Sequence, residues 1–368
     1  MKTRHIFLLP FFCLLTACSS ESASGYSTIL GIDYPSLWFM VVGAVFTGYA
    51  VLDGFDLGAG AWHLFLRKEQ SRRIALNAVG PVWDGNEVWL VIGGGTLFAG
   101  FPVVYASLFS AMYIPLMLFL FSLIFRAIAI EFRSKEPMKW WRQSWDVAYS
   151  VSSILLALLL GVLLGNVLLG IPLNENQEFT GSWLSFLNPF ALLVGATTLA
   201  LFMMHGALFL TMKTEGRLFT KLNLLLRRAI ISFVILYALT TLYSVLYIPH
   251  LSDAIRGNAT WFIIPVLALL AIANIPRLVS KGRYLMAFIF SSITVSLLLI
   301  TVAIELYPVL LLDANGENSI TIYNGVASNK TLGIMLGFVA IGGPLAVAYT
   351  AFVYKTFWGK VKMDEFSY

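Results

Sequence analysis

Nine stretches of this chain run for about 20 residues or more with almost no charge: 34–62, 77–100, 103–131, 147–171, 186–212, 229–249, 260–279, 284–311 and 332–357. A helix needs about 20 apolar residues to cross the hydrocarbon of a bilayer. Inside lipid, only helices and closed barrels satisfy their own backbone polar groups. Barrel strands alternate in polarity and are about 10 residues long, which these runs are not. The expected fold is therefore all-α: a polytopic membrane protein of about nine transmembrane helices. Composition agrees, with 59% hydrophobic and 12% charged residues against roughly 25% charged in a soluble domain. The seventh run is the weakest, because Pro265 and Pro276 interrupt it and a proline removes a helical hydrogen bond.

Residues 1–17 read as a signal peptide of the lipoprotein type. Lys2, Arg4 and His5 precede the short apolar core Ile6–Leu15, and Leu15-Thr16-Ala17-Cys18 resembles a lipobox. Ten apolar residues are too few for a comfortable span. The expectation is cleavage after Ala17, acylation of the Cys18 thiol, an outside tether over 18–33, and one transmembrane domain over 34–368. Charge supports the same orientation. With the N-terminus outside, 20 of the 24 Lys and Arg residues fall on the inner side; Arg256 and Lys330 lie outside, and Lys2 and Arg4 belong to the signal. This is the positive-inside pattern. It implies a multi-pass protein of a bacterial inner membrane, with the C-terminus in the cytoplasm. The net charge of +5 is thereby explained by topology, and no nucleic-acid partner is implied.

Acids within such helices are costly unless they face protein or water, so they are functional candidates. Asp53 and Asp56 lie three apart at the inner end of the first run, beside Gly54, Gly58 and Gly60; Asp84 and Glu87 lie three apart at the inner start of the second. Residues three apart share a helix face. Four carboxylates at one depth suit proton uptake from the cytoplasm; packing clamps or pairing with nearby arginines is the alternative. Arg126 and Glu131, near the inner end of the third run, are explained by snorkelling. Asn166 reads as an interhelical hydrogen-bonding residue. Glu305 lies in the eighth run with no basic residue in sight, and His205 lies in the fifth near Met203 and Met204. A hydrogen-bonded helix–helix histidine is the simpler reading of His205; haem ligation, which needs a partner ligand on a facing helix, is the other. His63 and His250 sit near span ends and read as solvated. The only cysteines are Cys13 and Cys18, so no thiolate metal site is expected, and no metal ligands are proposed. Gly93-Gly94-Gly95 is no nucleotide loop.

Together these elements resemble subunit II of the cytochrome bd-type quinol oxidases: Gly48–Gly60 (GYAVLDGFDLGAG), Arg72-Arg73, Pro81–Trp89 (PVWDGNEVW), Phe132–Lys135, Gly165-Asn166, Leu187–Phe190 and Tyr354–Gly359. The likeness runs from about residue 30 to the end. It implies two four-helix groups plus a peripheral helix, packed in pseudosymmetry against a haem-bearing subunit I that carries haems b and d and the quinol-oxidising loop. Quinol and dioxygen are then substrates of the complex, and this chain is a haem-free partner supporting assembly, catalytic residues lying elsewhere. A quinone or lipid is the candidate ligand of this subunit itself, and small single-span subunits are candidate accessories. Asp84 matches the aspartate associated with cytoplasmic proton uptake. The likeness has two departures: the added signal with Cys18, and Glu87 where the family often has Gln. Against the oxidase reading stand a secondary transporter, which would work without a haem-bearing partner, and a purely structural scaffold.

Overall fold

The computed structural model describes residues 25–363. The expected signal peptide, the acylation site Cys18 and the start of the tether lie outside the described residues. In chain order the helices are α1 (Tyr34–Trp62), α2 (Glu69–Val79), α3 (Trp83–Gly100), α4 (Pro102–Ala111), α5 (Tyr113–Phe132), α6 (Lys139–Leu169), α7 (Pro189–Lys213), α8 (Gly216–Tyr247), α9 (Asp253–Gly257), α10 (Ile263–Ser280), α11 (Tyr284–Leu306) and α12 (Asn329–Thr356). Two small hairpins, β1 (Thr28–Ile29) with β2 (Ile32–Asp33) and β3 (Val309–Leu311) with β4 (Ile320–Thr321), complete the described chain. Eight helices are long and apolar enough to cross a membrane among the described residues, or nine if α3 and α4 count as one bent span.

That bend corrects one sequence expectation. The run 103–131 is not one helix: α4 turns 119° away from α3, and Met112 separates α4 from α5. The cause is local. Phe101 precedes a proline, which disfavours the helical region, and it sits at φ −128°, ψ 64°. Pro102 then starts α4 where a missing N–H costs nothing. The same reasoning rescues the run weakened by prolines. Pro265 falls in the first turn of α10, where the amide has no intrahelical acceptor, and only Pro276 lies inside the helix. Helix α8 begins at residue 216 rather than at 229. Its 32 residues reach ~48 Å at 1.5 Å each, more than a bilayer's hydrocarbon, so its first turns stand beyond the membrane.

Contacts between links gather several basic links at one end of the bundle. Lys213 Nζ donates to the Phe357 carbonyl (2.6 Å), Lys360 Nζ to that of Thr214 (2.8 Å) and Lys221 Nζ to that of Phe65 (2.5 Å). The basic links thus meet at one end. At the other, the Ser27 amide donates to Asn329 Oδ1 (3.1 Å) and the Leu173 amide to Asp313 Oδ1 (3.0 Å). Here residues 25–33, the described part of the expected tether, form the β1–β2 turn and lead into α1, whose first turn Asp33 caps through the Ser36 amide (2.8 Å). Between the ends, α7 packs against α1, α6, α8 and α11, α3 and α6 pack against α1, and α5 packs against α6. Two glycines bring α1 and α7 together. A Cβ on Gly58 would overlap the Phe202 carbonyl, and one on Gly206 would overlap the Ala59 amide nitrogen. This is the close approach that small residues permit.

Candidate functional site: a buried carboxylate cluster at the basic end

Helix α1 is buried from Asp53 to Trp62, and its two acids are fully inaccessible. Asp53 is held by Arg126 of α5, whose Nη1 and Nη2 donate to Oδ2 (2.9 Å) and Oδ1 (2.5 Å). Such a two-pronged, charge-assisted pair is the geometry a guanidinium favours. Arg126 is itself fully buried, so snorkelling is the wrong account of it: the guanidinium turns inward because a dry carboxylate needs it. Glu87 of α3 lies 3.6 Å from the same guanidinium, close enough for attraction but too far for a hydrogen bond. Asp56 accepts from Asn86 Nδ2 (2.7 Å), and Asn86 Oδ1 accepts from the Tyr354 hydroxyl of α12 (2.9 Å). Asp53, Asp56 and Glu87 are therefore brought together by residues of four helices, α1, α3, α5 and α12, with a single arginine among these contacts.

Asp84 stands apart. It lies in the first turn of α3, where the helix dipole favours a negative charge, and it is exposed on the surface of this chain while Glu87 is partly buried. The two share a helix stripe, as their spacing requires, yet only Glu87 reaches Arg126.

A second ionic cluster, little signalled by sequence spacing, lies one layer nearer the basic end. Asp146 of α6 accepts from Arg133 Nε (2.5 Å), from Arg133 Nη2 (3.2 Å) and from Arg72 Nη1 (2.8 Å), and it pairs with His63 Nε2. Arg133 also donates to Glu69 Oε2 (2.9 Å). Burial works against the Arg133 charge, but hydrogen bonds and attraction from Asp146 and Glu69 outweigh it and hold its pKa above the ordinary arginine value. His63 is fully buried, which corrects its reading as a solvated span-end residue. Asp146 is hard to single out in the sequence because it falls just before the run that begins at 147, among residues that look interfacial; α6 starts eight residues before that run and carries it inside.

The remaining sequence candidates are not gathered into this site. His205 Nε2 donates to the Val51 carbonyl (3.0 Å), leaving Nδ1 to accept from the Ser291 hydroxyl (2.8 Å), and its ring stacks on Phe288. Both nitrogens are engaged across α1, α7 and α11, so the helix–helix reading describes it. Asn166 donates to the Val162 and Phe186 carbonyls (2.8 and 2.9 Å) and accepts from Asn188 (2.8 Å), fastening the loop after α6. Glu305, which lacked any basic neighbour in the sequence, accepts the Ala254 amide at the start of α9 (3.3 Å), a helix-end partner instead of a cation. Among the described residues no group of three or more His, Cys, Asp or Glu is placed to hold a metal ion.

Above the carboxylates, toward the opposite end, an apolar cavity of about 1490 Å³ opens between α1, α3, α5, α6, α10 and α11. Tyr49 lines its floor, one turn of α1 before Asp53, and among the described residues its buried hydroxyl has no hydrogen-bond partner.

Comparison with known proteins agrees with the motifs. The family described as cytochrome bd terminal oxidase subunit II matches residues 34–357, a span that contains both clusters. Cytochrome bd-I ubiquinol oxidase subunit 2 of Escherichia coli K12 is 31% identical over 369 aligned residues, covering 91% of this chain and 97% of that one. Probable cytochrome oxidase subunit 2 of Haemophilus influenzae is 34% identical, covering 90% and 96%. A chain of the bd oxidase from Geobacillus thermodenitrificans shares the fold, with a TM-score of 0.74 at 20% identity over 88% of this chain and 98% of that one. With a family match across nearly all the described residues and relatives aligned end to end, the chain belongs to the cytochrome bd terminal oxidase subunit II family.

Proposed function

We propose that this chain is the haem-free half of a quinol:oxygen oxidoreductase and supplies protons to the oxygen chemistry of its partner. Haems b and d, quinol oxidation and dioxygen reduction belong to subunit I in this reading. Reducing one O2 to two waters consumes four electrons and four protons, and the protons must cross part of a low-dielectric protein. Asp84 takes them at the surface of the inner side, Glu87 stands one turn deeper, and Asp53 and Asp56 receive them behind Arg126. The observation that carries this reading is the charge count: three carboxylates share one guanidinium in an interior where an uncompensated charge costs several kcal/mol. Groups this close gain and lose protons as a set.

The same reading sets the chain in the bacterial inner membrane with its basic end and C-terminus in the cytoplasm, and with Cys18 acylated on the far side. In this reading the spans form two four-helix units, and the sparsely buried α12 suits the peripheral position. The apolar cavity suits the tail of a quinone or a lipid, and exposed apolar faces leave room for subunit I and for small single-span accessories. An autonomous carrier is disfavoured by the family match. Replacing Asp84 with Asn in the purified complex tests the proton role: the haem spectra are expected to stay intact while oxygen uptake slows. Full turnover with normal haem content would reduce this chain to a scaffold.

A further inference from the structure

The His63–Asp146 cluster has no part in the path just described, yet α1 links the two. Asp53, Asp56, Gly60 and His63 are spaced by three, four and three residues, which places them on one stripe of the helix. Seven residues separate Asp56 from His63, ~10 Å along the axis. Midway, Gly60 has no side chain, and helix α6 fills that space: a Cβ there would lie 3.2 Å from Tyr149 Cζ and would overlap the Ser153 hydroxyl. The Tyr149 ring meets the His63 ring edge-on at 5.1 Å, and its hydroxyl interacts electrostatically with Asp56, Asp53 and Arg126 on the other side. The phenol thus packs on the outer cluster and lies within electrostatic reach of the inner one.

The distribution of unsatisfied polar atoms follows the same line. Buried atoms without a hydrogen-bond partner include Tyr49 Oη, Asp56 Oδ1, Glu87 Oε2, Arg126 Nε, His63 Nδ1 and Arg133 Nη1. These six of the eight such atoms among the described residues belong to the two clusters or to the residue beside them; the other two, Asn223 Oδ1 and Glu305 Oε1, lie elsewhere. Buried polar atoms are nearly always satisfied, by protein or by water, and a water held between two to four such groups is stable. At its other edge the outer cluster meets solvent through Glu69, whose side chain is 46% exposed.

We infer that His63 and Asp146 form a second proton inlet, which runs from Glu69 at the surface through the imidazole and past Tyr149 and Ser153 to Asp56. It rests on the proton-supply reading above and adds to it a route that bypasses Asp84. The step at His63 balances. In the resting ring Nε2–H donates to the Asp146 carboxylate; a proton taken up at Nδ1 makes an imidazolium held by that carboxylate, and its release toward Asp56 breaks the N–H bond that uptake formed and restores the starting tautomer. Arg72 and Arg133, which face the same carboxylate, keep it in place; Tyr149 closes the other side of the ring.

The test uses the purified complex with its haem-bearing partner, reduced and then mixed with oxygen, with a pH dye reporting proton uptake. His63→Gln retains an N–H that reaches Asp146 but cannot carry a proton, so structure and relay are separated. Proton uptake in His63→Gln is expected to slow about twofold at unchanged haem content, because the Asp84 route still feeds the cluster, and added imidazole is expected to restore it in His63→Ala, an effect no structural role produces. Unchanged uptake in His63→Gln alongside slowed uptake in Glu87→Gln would overturn this inlet and leave the central path standing. Unchanged uptake in Glu87→Gln and Asp84→Asn as well would remove the proton-supply reading itself, and the inlet with it. Slowed uptake in His63→Gln without rescue by imidazole in His63→Ala would count against the relay.

Discussion

Arg126→Leu is the substitution with the most to reveal about the buried cluster. In the intact protein its guanidinium is fully buried and makes two hydrogen bonds to Asp53, at 2.5 and 2.9 Å, with Glu87 3.6 Å away. Removing it strands Asp53 in a dry site and takes from Glu87 and Asp56 the only arginine among them. Breaking a buried pair by deleting one partner costs about 3–5 kcal/mol, a factor of about 10²–10³·⁵ at 1.4 kcal/mol per tenfold. Asp53→Asn is the informative contrast. It leaves Arg126 with Glu87 at hand as a replacement partner, so its cost is expected to be smaller, about 1–3 kcal/mol for a disrupted buried hydrogen bond. Replacing both residues with leucine removes both desolvated charges and is expected to recover at least half of the Arg126→Leu loss, because apolar substitutes for a whole buried pair are often neutral. The assay is thermal unfolding of the detergent-solubilised complex at a fixed scan rate, since membrane complexes unfold irreversibly, together with haem content per complex. A loss below about 1 kcal/mol for Arg126→Leu, the size of an exposed pair, would refute the dry-pair reasoning. So would equal losses for Arg126→Leu and Asp53→Asn.

Three further outcomes follow from particular contacts. Gly206→Val should prevent stable assembly, because a Cβ there already overlaps the α1 backbone near Gly58 and Ala59; size exclusion of the solubilised protein reads this, and a normal elution profile would contradict the close crossing. His205→Leu leaves the Val51 carbonyl and Ser291 hydroxyl without their buried partner and should cost about 1–3 kcal/mol with haem spectra unchanged; loss of a haem band would instead revive ligation. Asp313, outside the membrane, has its pKa held below the ordinary aspartate value: burial raises it, but the amides of Leu173, Asn318, Asn315 and Glu317 outweigh that effect. Its contribution is therefore complete above the unfolded value of about 3.9 and fades as pH falls through the lower folded value. Acid unfolding should begin at higher pH in Asp313→Asn, and an unshifted acid transition would show that the loop does not depend on this carboxylate.

Much of the molecule is legible in its sequence. Length and polarity of the apolar runs dictate membrane-crossing helices, since nothing else satisfies a backbone in lipid, and the alternation of basic links dictates which ends meet. Asp53, Asp56 and Glu87 were visible for the same reason: a charge in such a run has no cheap explanation. Pairings were a different matter. That Arg126 belongs to Asp53 and not to the headgroups, that Asp84 lies at the surface while Glu87 turns inward, and that His63 and Asp146 are buried together all depend on how helices cross, and sequence spacing specifies a face without naming what it faces. Helix ends were hardest, because a charged residue at the edge of an apolar run looks equally at home in water. Only the packing of α1, α5 and α6 takes those edges out of solvent, and there the energy of a charge is set by its neighbours in space.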